Sequence, residues 1–299
     1  MLIKIYRSFI LEKELNTTEL KALVSLLEDE DFEVIKHVED KIISIGNEVI
    51  PFLEKEWERS FNPTVQRKIE DLIHTLQFDF LKIKLKDWAN SEEKDLLEGA
   101  WIIATYQYPD LELSFLKKEI EQLYYEVWLD FKKDLHPFDQ IKVINTAIFE
   151  KLRFKANTKN FHSPGNSMIN VVLETRRGNP ISLCILYILI AQKLELPIYG
   201  VNLPNLFICT YKAPDTQFYI NAFNKGLIFS KSDIENYVQQ LHLNPSDLFF
   251  EPCSNEEIIK RVLRNLVISF EKIGDHYKSD EVKQLLQAID SDYNLNLEG

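Results

Sequence analysis

Apolar residues in the first third of the chain recur at the three- and four-residue spacing of amphipathic helices. A glycine, Gly46, follows the second stripe, at the kind of position where helices commonly end. The spacing returns later and predicts helices over residues 96–106 and 115–131. We therefore predict that this part of the chain is helical. The three stripes are Leu20, Leu23, Val24 and Leu27; Ile35, Val38, Ile42 and Ile45; and Val49, Ile50, Leu53 and Trp57.

A weak internal repeat runs through these predicted helices. A shift of 31 residues places Val38 on Ile69 and Glu39-Asp40 on Glu70-Asp71. Residues 17–80 resemble HEAT-type repeats, which stack because one short helical unit cannot bury its own apolar face. The resemblance implies a HEAT-like helical repeat segment over residues 1–90.

The pattern changes in the second half of the chain, where a nearly all-apolar helix is followed by strands. Gly178-Asn179-Pro180 predicts a helix start, because asparagine caps free N–H groups and proline loses no bond at the first helical position. The run Ile181–Ala191 is apolar almost all round, which is typical of a helix at the centre of a core. Short β-prone runs over residues 198–201, 206–211 and 217–220 predict antiparallel strands after it.

The C-terminal region is predicted to be helical again. Ser254 with Glu257 three residues later is a capping-box pattern, and a second helix is predicted over residues 279–289, with a loose polar tail after Asp290. The predicted fold class is α+β, with N-terminal helical repeats, a buried central helix on a small antiparallel sheet, and C-terminal helices that close the fold.

The net charge of −12 lies entirely in the first half of the chain. Residues 1–150 carry 19 basic and 31 acidic side chains, whereas residues 151–299 carry 16 of each. This acidity argues against binding nucleic acid, which needs clustered lysine and arginine. The acidic run Glu28–Asp31 is then either a solvated helix surface or a docking surface for a basic protein partner.

Composition and motifs exclude several other classes. Three widely spaced cysteines without paired spacing fit reduced thiols in the cytoplasm, and Met1–Arg7 lacks the apolar run of a signal peptide. The longest apolar run is too short to cross a membrane. Nucleotide and metal motifs are missing from the sequence, so we expect no cofactor and no metal. The oligomeric state is not predictable from these features.

A set of short motifs in the second half resembles the bacterial SirB-type family of transglutaminase-like proteins, over about residues 90–290. The resemblance implies a transglutaminase-like domain over residues 91–299, including flanking helices. The motifs are Leu97-Glu98-Gly99-Ala100, Tyr108-Pro109-Asp110, Asn166-Ser167, the run from Arg176 to Leu183, Leu203-Pro204 with Phe207, Ile220 to Asn224 with Gly226, and Leu263-Arg264-Asn265-Leu266.

Active members of the wider superfamily use a Cys-His-Asp triad, and this resemblance places the three positions on Pro180, Leu206 and Asn221. Proline is no nucleophile, leucine takes no proton, and an amide is no charged partner for an imidazolium. We therefore expect a pseudoenzyme without catalytic residues, which acts as a protein-interaction or ligand-binding module.

The sequence also allows an enzymatic alternative. Cys184 lies one helical turn after Pro180, and with His162 as a base it could serve a cysteine-dependent hydrolase or acyl transferase. The competing interpretation is a small buried thiol in a central helix.

Polar residues around the former active-site position form a candidate ligand-binding rim. Arginines beside a helix start can bind a carboxylate or phosphate, but they can also brace Glu174 or loop carbonyls. Ser182 can instead satisfy N–H groups of the first turn. The candidate residues are Asn166, Arg176, Arg177, Asn179, Ser182 and Asn221.

Overall fold

The computed structural model describes residues 17–244 and 246–290. These residues divide into two compact units, one ending at Ile83 and the next beginning at Lys84. The expectations for Met1–Arg7 and for the tail after Asp290 lie outside the described residues.

The first unit is helical, as its apolar stripes predict. Its helices are α1 (Thr17–Leu26), α2 (Phe32–Ile43), α3 (Ile50–Arg59) and α4 (Pro63–Asn90), the last of which continues beyond Ile83.

The core of this unit is built from the predicted stripes. Leu27, Ile42 and Leu53 are completely buried, each on a different stripe. Trp57 departs from the pattern, since it is 37% exposed and its indole N–H donates to Glu70 Oε1 at 2.8 Å. The hydrogen bond satisfies the indole nitrogen and leaves the ring on the surface of α3. The HEAT-like assignment itself stays a prediction.

The second unit combines helices with two small sheets. The helices are α5 (Leu96–Thr105), α6 (Leu113–Trp128), α7 (Pro137–Asn145, continued by a π-helical turn at Thr146–Lys151), α8 (Ile169–Thr175), α9 (Pro180–Lys193), α10 (Lys231–Gln240), α11 (Asn255–Lys272) and α12 (His276–Ile289). The strands are β1 (Lys155–Ala156), β2 (Arg177–Gly178), β3 (Ile198–Leu203), β4 (Leu206–Ala213), β5 (Thr216–Asn221) and β6 (Leu227–Phe229).

Helix α9 is the centre of this unit. Every residue from Ile181 to Ala191 is buried, and the helix packs against β3, β4, α6 and α11. A helix that is apolar on all sides needs neighbours on all sides, so the sequence prediction of a central buried helix is confirmed.

The main sheet is antiparallel, in the order β3-β4-β5-β6. Leu203 pairs with Leu206, so only Pro204 and Asn205 lie in the β3–β4 turn. The predicted strands are present, and β6 is an additional one that periodicity misses because it is only three residues long. Strands β1 and β2 form a separate short parallel pair, and β2 lies directly before α9. The predicted α+β fold class is confirmed.

The last two helices start at capping residues. Ser254 Oγ accepts the N–H of Glu257 at 3.2 Å, as the capping pattern predicts. The final helix starts at His276 rather than at Ser279, because Asp275 caps it by accepting the N–H of Lys278. In the part of the chain that the structure describes, no helix is long and apolar enough to cross a membrane.

Candidate functional site

A cleft of about 310 Å³ lies at the N-terminal end of α9. Four separate parts of the second unit meet there: the loop before α8, the start of α9, the β3–β4 hairpin and α11. Its lining residues are Phe161, His162, Asn179, Pro180, Ile181, Asn205, Phe207, Arg261, Asn265, Ile268 and Ser269.

The start of α9 is held by a buried capping box. Asn179 Oδ1 accepts the N–H of Ser182 at 2.9 Å, and Ser182 Oγ accepts the N–H of Asn179 at 3.0 Å. The Asn179 carbonyl accepts the N–H of Leu183 at 3.2 Å, and Pro180 has no N–H to offer. These N–H groups of the first turn are therefore already satisfied within the chain, which weakens the helix start as an anion-binding group.

A chain of buried amides ties the neighbouring loop to this helix start. Asn179 Nδ2 donates to Ser167 Oγ at 2.8 Å. Next to Ser167, Asn166 accepts from Asn157 Nδ2 at 2.7 Å and donates to the carbonyl of Phe161 at 2.9 Å. Asn166 is buried and does not line the cleft, but its bonds position the loop that carries Phe161.

The β3–β4 turn brings Asn205 to the cleft. Asn205 has φ 58°, a left-handed conformation that asparagine tolerates better than most residues. Leu206 begins β4 directly after the turn, and Phe207, the next residue, is buried and contributes to the cleft wall. The position that the family resemblance gives to a catalytic histidine therefore carries an aliphatic side chain.

Helix α11 supplies the fourth wall of the cleft, and no pattern in the sequence predicts this contribution. Arg261, Asn265, Ile268 and Ser269 lie at the i, i+4, i+7 and i+8 positions of one helix face. The basic residues of this helix were visible in the sequence, but nothing local indicated that one of them reaches the start of α9.

Five of the six predicted rim residues do not line the cleft, and three of them, Arg176, Arg177 and Asn221, form contacts elsewhere. Arg176 has φ 56° after the end of α8, and its guanidinium lies 4.7 Å from the centre of the Phe154 ring. Arg177 lies in β2, paired with Lys155. Asn221 Oδ1 accepts the N–H of Asn224 at 3.1 Å, where it caps a short 3₁₀ turn. Of the six predicted residues, Asn179 lines the cleft. Asn166 and Ser182 lie outside the lining, and their hydrogen bonds hold Phe161 and Asn179, which do line it.

Cys184 lies below the cleft rather than in it. Its exposed fraction is 0%, and its thiol donates to the carbonyl of Phe207 at 3.6 Å. His162 lines the cleft, whereas Cys184 does not. A nucleophile must reach its substrate, so this burial argues against Cys184 and His162 as a catalytic pair.

The other cysteines are also poorly suited to nucleophilic chemistry. Cys209 is completely buried, and burial raises the pKa of its thiol well above the ordinary value. Burial raises the pKa of the Cys253 thiol to about 12. Thiolate formation is what makes a cysteine reactive, and both environments oppose it. Across residues 17–244 and 246–290, no group of three or more metal-ligating side chains is placed to hold an ion.

A central helix on an antiparallel sheet, with a cleft at the helix start, is the arrangement of a transglutaminase-like core. The model of the transglutaminase-like superfamily matches residues 115–264, half of the chain. The protein belongs to the transglutaminase-like superfamily.

Several curated proteins are similar to this chain. A UPF0162 protein of Xylella fastidiosa (strain 9a5c) is 29% identical over 195 residues, which cover 59% of this chain and 65% of that protein. The UPF0162 protein YchA of Escherichia coli (strain K12) is 27% identical over 169 residues, covering 54% and 58% of the two chains. F-box only protein 21 of Mus musculus is 27% identical over 155 residues, covering 49% of this chain and 24% of its own.

The matched regions fall short of these relatives' full lengths, reaching just under two thirds of the Xylella protein. No solved structure matches this chain.

Proposed function

We propose that this chain is a non-catalytic, SirB-type transglutaminase-like protein that acts as a ligand-binding and protein-interaction module in the cytoplasm. The observation that carries the proposal is the start of α9, where Pro180 lines the cleft and the thiol one helical turn later, Cys184, is completely buried. A transglutaminase-type reaction needs an accessible thiolate at this place. The cleft has a volume of about 310 Å³ and several polar groups in its lining, which suits it to binding a small ligand.

The absence of a reactive thiol is testable by alkylation of the native protein. We expect iodoacetamide to modify Cys184 and Cys209 at neutral pH far more slowly than in urea-denatured protein, with mass spectrometry resolving each site. The denatured protein shows that each thiol can react with the reagent, so slow modification of the native protein reports protection by the fold. Modification of native Cys184 as fast as in denatured protein would overturn the non-catalytic assignment.

We further propose that the helical segment over residues 1–90 is a HEAT-like domain that binds a basic protein partner. Glu28, Asp29, Glu30 and Asp31 are all exposed in the turn between α1 and α2 and are called the acidic turn below. Phe32 follows and is 75% exposed. Acidic groups beside an exposed aromatic ring suit a partner with basic and apolar side chains.

A second acidic feature of the same unit supports this proposal. A hollow of about 420 Å³ between α3 and α4 is lined by Trp57 together with Glu54, Glu58 and Glu70. An aromatic ring flanked by carboxylates is a favourable environment for a lysine or arginine side chain. The unit therefore offers a basic partner two places at which cations are attracted.

The acidic turn can be neutralised without removing its structural bonds. Asp31 caps α2 by accepting the N–H of Glu33, so it is left unchanged, while Glu28→Gln, Asp29→Asn and Glu30→Gln are combined. Asp29 accepts the N–H of Asp31 and Glu28 accepts from Asn62 Nδ2, and the amide oxygens of the substituted residues can still accept these bonds. The control combines Glu92→Gln, Glu93→Gln and Asp215→Asn, which are exposed changes of the same total charge elsewhere.

Capture from native lysate, with the proteins identified by mass spectrometry, compares the two variants with wild type. We expect basic proteins retained by wild type and by the control variant to be lost from the acidic-turn variant. Equal capture by all three proteins would refute a partner site at the acidic turn and leave the charge as a solvated surface.

A further inference from the structure

Arg261 differs from the neighbouring basic residues of α11 in having no counter-ion. Lys260 Nζ lies 3.0 Å from Glu256 Oε1, and Arg264 donates to Asp290 Oδ2 at 2.9 Å. Within the part of the chain that the structure describes, Arg261 makes neither an ion pair nor a hydrogen bond. It is the basic residue of this helix that lines the cleft.

The environment of Arg261 is unfavourable for an unpaired cation. Burial lowers the pKa of its guanidinium, and the like charge of Arg264 lowers it further. Arginine nevertheless keeps its proton at neutral pH, so the charge of Arg261 is partly desolvated and has no counter-ion among the described residues. An anion bound beside Arg261 would remove this cost.

The remaining walls of the cleft restrict which anion fits. Phe161, Phe207 and Ile268 present apolar surface, with Ile268 42% exposed and Phe161 45% exposed. Asn265 lies one turn of α11 from Arg261 and adds an amide donor. None of the described residues that line the cleft carries a carboxylate. A ligand here meets the permanent positive charge of Arg261, the imidazole of His162, a few amide and hydroxyl groups and several apolar side chains.

A carboxylate fits this arrangement better than a phosphate. A phosphate dianion is usually held by several cations or by free N–H groups of a helix start. The cleft has a single arginine, and Asn179 already satisfies N–H groups at the start of α9. The planar guanidinium matches one carboxylate in a two-point contact.

We infer that the cleft binds a ligand with one carboxylate next to an aromatic or aliphatic group, and that Arg261 binds the carboxylate while Phe161, Phe207 and Ile268 cover the apolar part. This inference rests on the proposed binding function and names the chemistry of the ligand. The volume of about 310 Å³ lies at the lower end of the range for small-molecule sites, about 300–1,000 Å³. Either a small organic acid or the C-terminal residue of a peptide chain has this chemistry.

Three probes test the chemistry on the wild-type protein. N-acetyl-phenylalanine carries the carboxylate, N-acetyl-phenylalanine amide lacks it, and acetyl-Gly-Gly-Gly-Phe presents it at the end of a peptide. In ligand-observed NMR titrations we expect the two acids to bind at least ten-fold more tightly than the amide. Tighter binding of the peptide than of N-acetyl-phenylalanine would identify a chain terminus as the source, and the reverse order would identify a small acid.

A matched pair of variants tests the role of Arg261. Arg261→Gln should weaken binding of the acids at least ten-fold and leave binding of the amide unchanged. Arg264→Gln removes the same charge from the same helix, outside the cleft lining, and should change binding less than two-fold. Thermal unfolding checks that each variant is folded, and the comparison of acid with amide on wild type needs no variant.

The outcomes separate this inference from the proposed function. Equal binding of acid and amide would overturn the carboxylate assignment, while a cleft that binds both would still support a ligand-binding module. Equal losses in Arg261→Gln and Arg264→Gln would overturn the role of Arg261. No binding of any probe would overturn the inference, whereas the non-catalytic proposal is decided independently by the alkylation of Cys184.

Discussion

The buried capping box at the start of α9 predicts an unusually costly substitution, Asn179→Ala. This change removes two hydrogen bonds at once. One joins Asn179 Oδ1 to the N–H of Ser182 at 2.9 Å, and the other joins Asn179 Nδ2 to Ser167 Oγ at 2.8 Å. All three residues are at least nine-tenths buried, so water does not replace the lost partner in the native structure.

The expected magnitude follows from the two bonds. Loss of a helix N-cap costs about 0.5–2 kcal/mol, and a buried hydroxyl left without its donor costs about 1–3 kcal/mol. We therefore expect Asn179→Ala to lower the free energy of unfolding of the second unit by about 2–4 kcal/mol. The effect should be greatest in α9, the helix whose first turn is uncapped.

The same motif in an exposed position provides the control. Ser230 and Asp233 form the capping box of α10, and both side chains are exposed. Because water can solvate the groups that Ser230→Ala leaves free, this change should cost less than half as much as Asn179→Ala.

Hydrogen exchange measured by mass spectrometry suits this comparison. The chain has two compact units, so a single global transition is not assured, and exchange reports the opening of each helix separately. Peptides from α9 and α10 give the opening free energies in the corresponding variants. Equal losses for the two variants would refute the view that burial of the α9 box amplifies its contribution.

Two further predictions concern the surroundings of the site. Gly226→Ala should lower the free energy of unfolding in urea by about 2 kcal/mol or more, because Gly226 has φ 75° and an added methyl group would overlap the side chain of Asn145. The control is Gly274→Ala, at φ 80° with open space around it, which should show only the backbone strain of about 1 kcal/mol. Equal losses in the two variants would contradict the predicted overlap. Glu256 accepts from Lys94 Nζ at 2.6 Å, which holds the pKa of its carboxyl below the ordinary value, so its contribution is present at neutral pH and is lost as the pH falls through the folded pKa. The difference in urea midpoint between wild type and Glu256→Gln should therefore shrink between pH 7 and pH 3, and a constant difference would contradict the ion pair.

The helices are the part of this protein that its sequence predicts best. The start of α9 follows from Gly178-Asn179-Pro180, and its burial follows from the apolar run after it, because capping and helical periodicity depend on residues only a few positions apart. The same local rules misplace features that distant contacts control. Trp57 belongs to an apolar stripe but is held at the surface by Glu70.

The sequence pointed to the part of the cleft at the start of α9 but not to its other walls. The family resemblance led to Pro180, which lines the cleft, and the residues beside it suggested Asn179. Arg176 is also close in sequence to the start of α9, but its guanidinium lies against the ring of Phe154. Arg176 itself has the left-handed conformation that ends α8, and this turns the chain at that point. Sequence proximity to the helix start therefore does not decide which side chains reach the cleft.

By itself the sequence determined the helical character of the first unit and the buried central helix, since each depends on residue type and short-range spacing. Only the tertiary structure decided that Cys184 is completely buried and does not line the cleft. It also decided that Arg261 lines the same cleft as Asn179, although the two residues are more than 80 positions apart in the sequence. The physical reason is that burial and charge pairing depend on which helix faces pack together, and α11 packs against α9 although the two helices are far apart in the sequence.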